Sequence, residues 1–340
     1  GREQAQYSGQ LSLKDFDLAR WTDNPNFGLV TVSSKVYDGV GLTQQTADAK
    51  LDASIDYFAF KGYDYENLNI EGVINKNLFI GDFGIQDDNI DFLFAGTINF
   101  EESIPVFDFQ ADINRVDLKA LNLIEEDFVV AGDINLKIRG NNVNDLLGRA
   151  TLYEFTLLKD KKETYTIDSL KFSSAITSNR AKAWRVNSEL FKASLVGDFE
   201  VTTIGEAVLQ HIERNFTGYA DRFNIHSKQD TAVKFNQFEF KLDLFDTKNF
   251  TYLLDKNLDT LKDVHLETSF DFVQDNLLVD LEMPTFKFGN VSTQKIKLVT
   301  GGGQKKGKVD FSVLNTKVGN LNFDYVSLLS YIENDSAAFN

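Results

Sequence analysis

The chain has 340 residues, of which 42% are hydrophobic, with 30 Phe, 3 Pro and no Cys. Its formal net charge of −16 argues against nucleic-acid binding and against electrostatic docking on an anionic membrane leaflet, because both need a basic surface. A sequence without Cys excludes disulfides and thiolate chemistry. No signal peptide opens the sequence, and no apolar run approaches the ~20 residues of a membrane span.

Alternating apolar and polar residues predict β-strands along most of the chain. The first strand is expected within Gln6–Leu18, and a short helix follows that Asp15 or Asp17 caps and that stops before Pro25. The next strands are predicted at Gly28–Val36, Leu51–Lys61, Tyr63–Val73 and Asn77–Phe83, before a polar turn at Gly84–Asn89.

The clearest alternation lies in Asn89–Leu123, on both sides of a predicted turn at Glu101–Ser103. Successive side chains of a strand point to opposite faces of a sheet, so this stretch predicts one apolar face and one hydrated face. The same pattern continues in the second half of the chain. Five further short helices are predicted as caps on strand edges, at Leu118–Leu123, Asn142–Leu147, Ile204–Arg214, Lys248–Asp255 and Asp324–Ile332.

A weak internal repeat places a Gly at the entrance to a strand. Its copies are Glu71–Asn75, Ala95–Asn99, Ala131–Asn135 and Val196–Glu200. Their irregular spacing excludes a strict solenoid. We therefore expect one elongated β segment over residues 1–340, a piece of a longer protein, with a possible sub-boundary near residues 204–216.

One apolar face of a long sheet has to be covered by a second sheet, by helices or by a ligand. The predicted helices are too few to cover it, and a bare face would exceed the apolar patch that monomers usually expose. Curling the sheet would turn this face into a groove that acyl chains can fill. The residues expected to line the groove and bind lipid are Ile90, Phe92, Phe94, Phe107, Phe109, Ile113, Phe238, Phe240, Leu242, Phe270, Phe272, Leu277, Val279 and Leu281.

Other sequence motifs do not predict a nucleotide-binding, metal-binding or catalytic site. Gly302–Lys308 nearly fits a P-loop, but Val309 stands where Ser or Thr should hold magnesium, so the segment is interpreted as a glycine-rich strand connection. The three His are scattered, and the acidic pairs fall in turns without the spacing of a calcium loop. We expect no catalytic residues, no metal site and no cofactor.

Four segments resemble the TamB family of translocation and assembly modules, which belongs to the AsmA-like group of bridge-type lipid transfer proteins. They are Leu11–Leu18, Phe60–Asn75, Asn89–Leu123 and Ala131–Leu158. The resemblance covers roughly the first 200 residues and rests on extended pattern, since none of these segments is a catalytic signature. It implies a mainly β fold, an elongated curled sheet forming a U-shaped β-taco groove, with a few short capping helices.

The resemblance also implies a function. Members of the family span the periplasm of Gram-negative bacteria, with an inner-membrane anchor and an outer-membrane β-barrel partner, and phospholipids or other acyl-chain lipids are thought to pass along their groove. A role in outer-membrane protein insertion has also been proposed. This sequence lacks the membrane helix and a recognisable docking region. Two alternatives remain: a closed β-helix or sandwich scaffold for protein partners, and a β-helical polysaccharide-active enzyme.

Overall fold

The computed structural model of the chain describes residues 6–41, 46–100, 103–224, 226–227, 237–333 and 336–339. The predicted fold class is confirmed: the chain is mainly β, an antiparallel sheet with three short α-helices among these described residues. Glu101 and Glu102 of the predicted turn lie outside them.

The strands follow one another with few interruptions. They are β1 (Gln6–Asp17), β2 (Phe27–Val40), β3 (Asp48–Phe60), β4 (Tyr63–Asn75), β5 (Leu78–Gln86), β6 (Ile90–Asn99), β7 (Val106–Asp117), β8 (Phe128–Arg139), β9 (Leu147–Lys159) and β10 (Glu163–Ile176). The remainder are β11 (Lys182–Ser188), β12 (Phe191–Asp198), β13 (Gln237–Asp246), β14 (Lys262–Asp271), β15 (Asn276–Phe288), β16 (Val291–Gly303), β17 (Lys306–Val318), β18 (Leu321–Glu333) and β19 (Ser336–Phe339). The helices are α1 (Leu18–Thr22), α2 (Ile204–Asn215) and α3 (Thr217–Phe223), and 3₁₀ turns form at Val143–Asp145 and Phe250–Leu253.

The chain divides into two compact units. Unit 1 is Gly1–Asn141 with Gly148–Leu170, and unit 2 is Asn142–Leu147 with Lys171–Asn340. In unit 1 each strand from β1 to β7 pairs antiparallel with the next one along the chain. In unit 2 the same holds from β11 to β18. The expected sub-boundary near residues 204–216 falls inside unit 2, on helix α2.

The helix predictions have mixed outcomes. Helix α1 is capped by Asp17, whose carboxylate accepts the backbone N–H of Arg20 at 3.0 Å. Helix α2 is present as predicted. The prediction for Leu118–Leu123 is wrong, since that segment is a turn. The Asp324–Ile332 prediction is also wrong, because β18 pairs with β17 in unbroken register over this segment, and that pairing outweighs its local helical spacing.

A hydrophobic core of unit 1 gathers near the turn between β5 and β6. Its buried members are Tyr65, Leu68, Ile85, Ile90, Val116 and Leu121. Leu121 comes from the turn after β7, where its N–H donates to the carbonyl of Asp117 at 3.1 Å. At this end of unit 1 the chain therefore covers its own apolar face.

Tyr63 closes this core, and it gives unit 1 a sensitivity to alkaline pH. Its hydroxyl donates to the Asp87 carboxylate at 2.9 Å and accepts from the Asn89 amide at 3.2 Å. Burial raises the pKa of Tyr63 to about 12 from the ordinary value of 10, and the Asp87 hydrogen bond adds to the effect while that of Asn89 opposes it. A raised pKa favours the neutral phenol, so this stabilisation is full below about pH 10 and is lost as the pH rises through about 12.

We expect Tyr63→Phe to flatten the alkaline fall in unfolding temperature, measured by circular dichroism melts across that pH range. Tyr325→Phe is the matched control, because Tyr325 is 61% exposed on β18. Identical alkaline profiles for wild type and Tyr63→Phe would contradict the burial of this phenol.

Three glycines form a row across the middle of unit 1. Gly72 of β4 pairs with Gly81 of β5, which pairs with Gly96 of β6. A Cβ added at Gly81 would lie 2.2 Å from the carbonyl oxygen of Glu71, so the two backbones approach too closely for a side chain. Two of these glycines belong to the weak sequence repeat. The sequence pattern predicts them at strand entrances, but both lie inside strands.

Candidate functional site: the apolar faces of the two units

Strands β6 and β7 of unit 1 carry an apolar face and a hydrated face, as the alternation predicts. Phe94 pairs with Ala111 on the apolar face, whereas Leu93 pairs with Asp112 on the other. The rings of Phe94 and Phe109 lie 4.9 Å apart between centroids. The predicted lining residues of unit 1 divide into buried Ile90 and Phe94 and half-buried Phe92, Phe107, Phe109 and Ile113.

The glycine row forms the floor of a shallow trough on the apolar face of unit 1. Its walls are the side chains two residues before and two residues after each glycine, on the same face of β4, β5 and β6. Leu51 of β3 closes one end. The trough has a volume of about 280 Å³ and is lined by Leu51, Ile70, Ile74, Phe79, Phe83, Phe94 and Ile98. Every lining side chain is apolar. Because the glycines lack side chains, this depression runs across the strands instead of along them.

Unit 2 carries a larger apolar cleft on strands β15–β18. Its volume is about 620 Å³, and its lining consists of Leu281, Met283, Phe286, Val291, Thr293, Ile296, Phe311, Val313, Thr316, Phe323 and Val326. Val313 on β17 is only 5% exposed, whereas Val326 on β18 is 38% exposed. The apolar surface of the cleft therefore continues onto the exposed side chains of β18.

Irregular residues in neighbouring strands shape this cleft. On β16, Thr293 and Ile296 both line it although they are three residues apart, and a regular strand would turn them to opposite faces. Lys295 between them has a φ of 48°, and Asn315 on β17 has a φ of 49°. The ladder between β16 and β17 changes register at both of these points. Pro284 occupies the corresponding place on β15, since a residue without an N–H suits a bulge.

Helix α2 covers the other part of the apolar face of unit 2. The sequence analysis predicts this helix as a cap on a strand edge, but it lies over central strands of the unit. Under it are Phe199, Phe238 and Phe270, with Trp184, Leu195, Phe240, Phe272 and Leu277 packed around them. Ala207, His211 and Asn215 are its buried side chains. Five predicted lining residues of unit 2 thus lie in a cluster covered by protein, while Leu242, Val279 and Leu281 are half-buried outside it.

The C-terminal end of α2 is fixed by one carboxylate, that of Asp275 in the turn between β14 and β15. His211 Nδ1 lies 3.0 Å from Asp275 Oδ1, and the Arg214 guanidinium donates to the same oxygen. The Asn215 amide donates to Asp275 Oδ2 at 2.9 Å. Three side chains of one helix therefore converge on a single acid.

The neighbouring turn between β16 and β17 completes this anchor. The N–H of Gln304 donates to Asp275 at 3.3 Å, and that of Lys305 donates to the Asn215 side-chain carbonyl at 2.8 Å. Burial on its own would raise the pKa of Asp275, but the hydrogen bonds from Arg214, Asn215 and the Gln304 N–H outweigh it and lower the pKa below its ordinary value. The carboxylate is the form that holds the helix.

The glycine-rich segment Gly302–Lys308, where β16 ends and β17 begins, has a structural explanation. It is a hairpin, as interpreted from the sequence, with Gln304 and Lys305 at its tip. A Cβ at Gly303 would lie 1.4 Å from the carbonyl oxygen of Asp275, and one at Gly307 would lie 2.9 Å from the ring of Phe216. The glycines therefore give space to the Asp275 turn and to the residue that follows α2.

No group of three or more His, Asp or Glu is arranged to hold a metal ion within the described ranges. In the same part of the chain, none of the helices combines the length and the apolar character that crossing a membrane requires.

Comparison with protein-family models, with curated proteins and with solved structures finds no match to this chain.

Proposed function

We propose that this chain is a lipid-conducting segment of a bridge that spans the periplasm of a Gram-negative bacterium and carries phospholipids or other acyl-chain lipids between the inner and outer membranes. The observation that carries the proposal is the pair of apolar depressions, one in each unit. Each lies on the face that holds the predicted lining residues. A lining without charged side chains suits an acyl chain, and the hydroxyls in the larger cleft, those of Thr293 and Thr316, hydrogen-bond to each other at 2.7 Å.

The energetics favour movement along the face over tight capture. Each buried methylene contributes about 0.8 kcal/mol, so one acyl chain gains roughly 10 kcal/mol before ordering costs. Phe, Leu, Ile and Val side chains repeat along the strands, so neighbouring positions of a chain have similar energies. The role we propose is therefore transport without catalysis.

The resemblance to the TamB family extends the proposal to the parent protein. On that basis the parent protein is anchored in the inner membrane and meets an outer-membrane β-barrel partner, and the sheet curls into a U-shaped groove. The expected result of lipid supply through such a bridge is support of outer-membrane biogenesis.

Native mass spectrometry of the gently purified chain tests the proposal. Wild type should carry several phospholipid adducts. Phe311→Asp puts a carboxylate into the apolar cleft of unit 2 and should reduce lipid bound there about tenfold, because a buried charge is costly. Leu278→Asp is the matched control, since Leu278 is 50% exposed on the hydrated face of β15 and pairs with Ser269 and Gly301.

Two further variants keep the test informative. Val326→Asp places the charge on the exposed side of the same cleft, where folding tolerates it, and Phe109→Asp applies the same change to unit 1. A folded wild-type chain without lipid, or equal lipid binding by Phe311→Asp and Leu278→Asp, would count against the proposal.

A second candidate is a closed-core scaffold for protein partners in outer-membrane protein assembly. The observation that favours it is the degree to which the chain fills its own apolar face, with Leu121 in unit 1 and helix α2 in unit 2. A well-folded, lipid-free chain that binds an outer-membrane protein would support this candidate.

A further inference from the structure

The apolar face under α2 has the same chemistry as the open cleft beside it. Leu277, Val279 and Leu281 alternate on one face of β15; Leu277 belongs to the covered cluster and Leu281 lines the cleft. The four residue steps from Leu277 to Leu281 span roughly 13 Å. A continuous apolar track therefore runs from the open cleft to the aromatic side chains beneath the helix.

The closed arrangement leaves polar atoms unsatisfied. Trp184 Nε1 and His211 Nε2 are buried, and neither has a hydrogen-bond partner within the described part of the chain. Trp184 packs against the covered cluster, and the His211 ring contacts that of Phe270 at 5.7 Å between centroids. A buried donor or acceptor without a partner costs free energy, so the covered state is less stable than a fully satisfied core.

The hold of α2 on the sheet combines apolar packing with a local polar anchor. Ala207 is the fully buried apolar side chain of the helix, and Ile204 and Val208 pack against the same cluster while remaining partly exposed. Its anchor is the Asp275 carboxylate, bound by His211, Arg214 and Asn215. Weakening one acid should therefore loosen the helix and leave the sheet, which is held by its own ladders, in place.

We propose that the aromatic face beneath α2 is a second acyl-chain site, which helix α2 occupies when no lipid is bound. The inference rests on the proposed lipid function. The helix and an acyl chain compete for Phe238, Phe270 and their neighbours, and the Asp275 anchor sets how readily the helix leaves. Release of α2 lengthens the apolar track beyond the open cleft.

A single-cysteine reporter measures release of the helix. The natural chain has no Cys, so Ala207→Cys introduces the only thiol, at a position with no exposed surface. Asp275→Asn keeps the shape of the anchor and removes its charge. We expect it to speed maleimide labelling of Cys at position 207 by about 10- to 100-fold, since hydrogen bonds to charged groups are the stronger ones.

Ala183→Cys is the matched control, because Ala183 is equally buried on β11 in the same unit but lies outside the covered cluster. Its labelling rate should not change with Asp275→Asn. If Asp275→Asn does not fold, Arg214→Met removes one arm of the anchor from a half-exposed site. Equal acceleration at both reporters would mean global unfolding and would overturn the inference, as would no acceleration at position 207.

A photo-crosslinking phosphatidylcholine with a diazirine in its acyl chain identifies what enters. In wild type we expect crosslinks chiefly to β15–β18, and in Asp275→Asn additional crosslinks to strands β13 and β14. Crosslinks confined to the cleft despite a released helix would overturn the second site and leave the proposed function standing. The absence of crosslinks to either face would count against the proposed function itself.

Discussion

Replacing Phe270 by Ala should lower the free energy of unfolding of unit 2 by about 3–5 kcal/mol, the usual range for removing a buried Phe. Phe270 is 2% exposed and packs against Phe238 at 5.5 Å and His211 at 5.7 Å between ring centroids. Removal of its ring would leave a cavity beneath α2 that the ladders of β13 and β14 cannot collapse. Trp184 in the same cluster reports the transition by fluorescence in a Trp21→Phe background, since the chain has only two Trp.

Phe288→Ala is the control, because Phe288 is 41% exposed at the end of β15. We expect it to change stability by roughly 0.5 kcal/mol, as for most surface substitutions. If Phe270→Ala were as mild as this control, α2 would not cover the aromatic face in solution. The sequence predicted Phe270 as a groove-lining residue, so this measurement also separates a ligand-facing side chain from a core side chain.

Strand positions and faces follow from the sequence wherever alternation is regular. Phe94 pairs with Ala111 and Leu93 pairs with Asp112. These pairs agree with the faces assigned from the alternation of apolar and polar residues alone. The prediction succeeds because the side-chain period of a strand is fixed by its backbone. It needs no knowledge of which strand lies alongside.

The cleft of unit 2 is only partly predictable from the sequence, because the strands that form it are irregular. Leu281 was predicted as a lining residue, but Phe311 and Val326 entered no predicted site. Residues that leave the regular strand conformation, such as Lys295 and Asn315, move the following side chains to the opposite face. Beyond such a residue, alternation in the sequence no longer tells which face a side chain occupies. The signal that could have located them is weak: Pro284 in the neighbouring strand, and an Asn, which tolerates positive φ better than most residues.

Tertiary contacts decided the role of α2. Its sequence predicted the helix, but nothing local placed Asp275, which lies 60 residues beyond Asn215, beside it. A helix that lies on a face and one that covers an edge have the same amphipathic spacing. Only the contacts of Ala207 and His211 with the sheet distinguish the two positions.

Gly81→Val should destabilise unit 1 by about 3 kcal/mol, although Val is the better strand former. Gly81 is paired with Gly72 on one side and with Gly96 on the other, and its added Cβ would lie 2.2 Å from the Glu71 carbonyl oxygen. The neighbouring strands would have to separate, at the cost of ladder hydrogen bonds. The same side chain would stand on the floor of the trough, so lipid bound to unit 1 should fall as well. Denaturant unfolding followed by circular dichroism measures the first effect, and native mass spectrometry measures the second.

The sign of the effect is the decisive feature, and Gly9→Val provides the comparison. A Cβ at Gly9 in β1 meets no atom within 4 Å, so only strand propensity acts there and the substitution should be neutral or slightly stabilising. Opposite signs at the two glycines would show that backbone approach, and not a general intolerance of Val, fixes the glycine row. A stabilising Gly81→Val would instead mean that β4 and β5 do not pair in the register that forms the trough, and unit 1 would then lose the depression on which its proposed role in lipid binding rests.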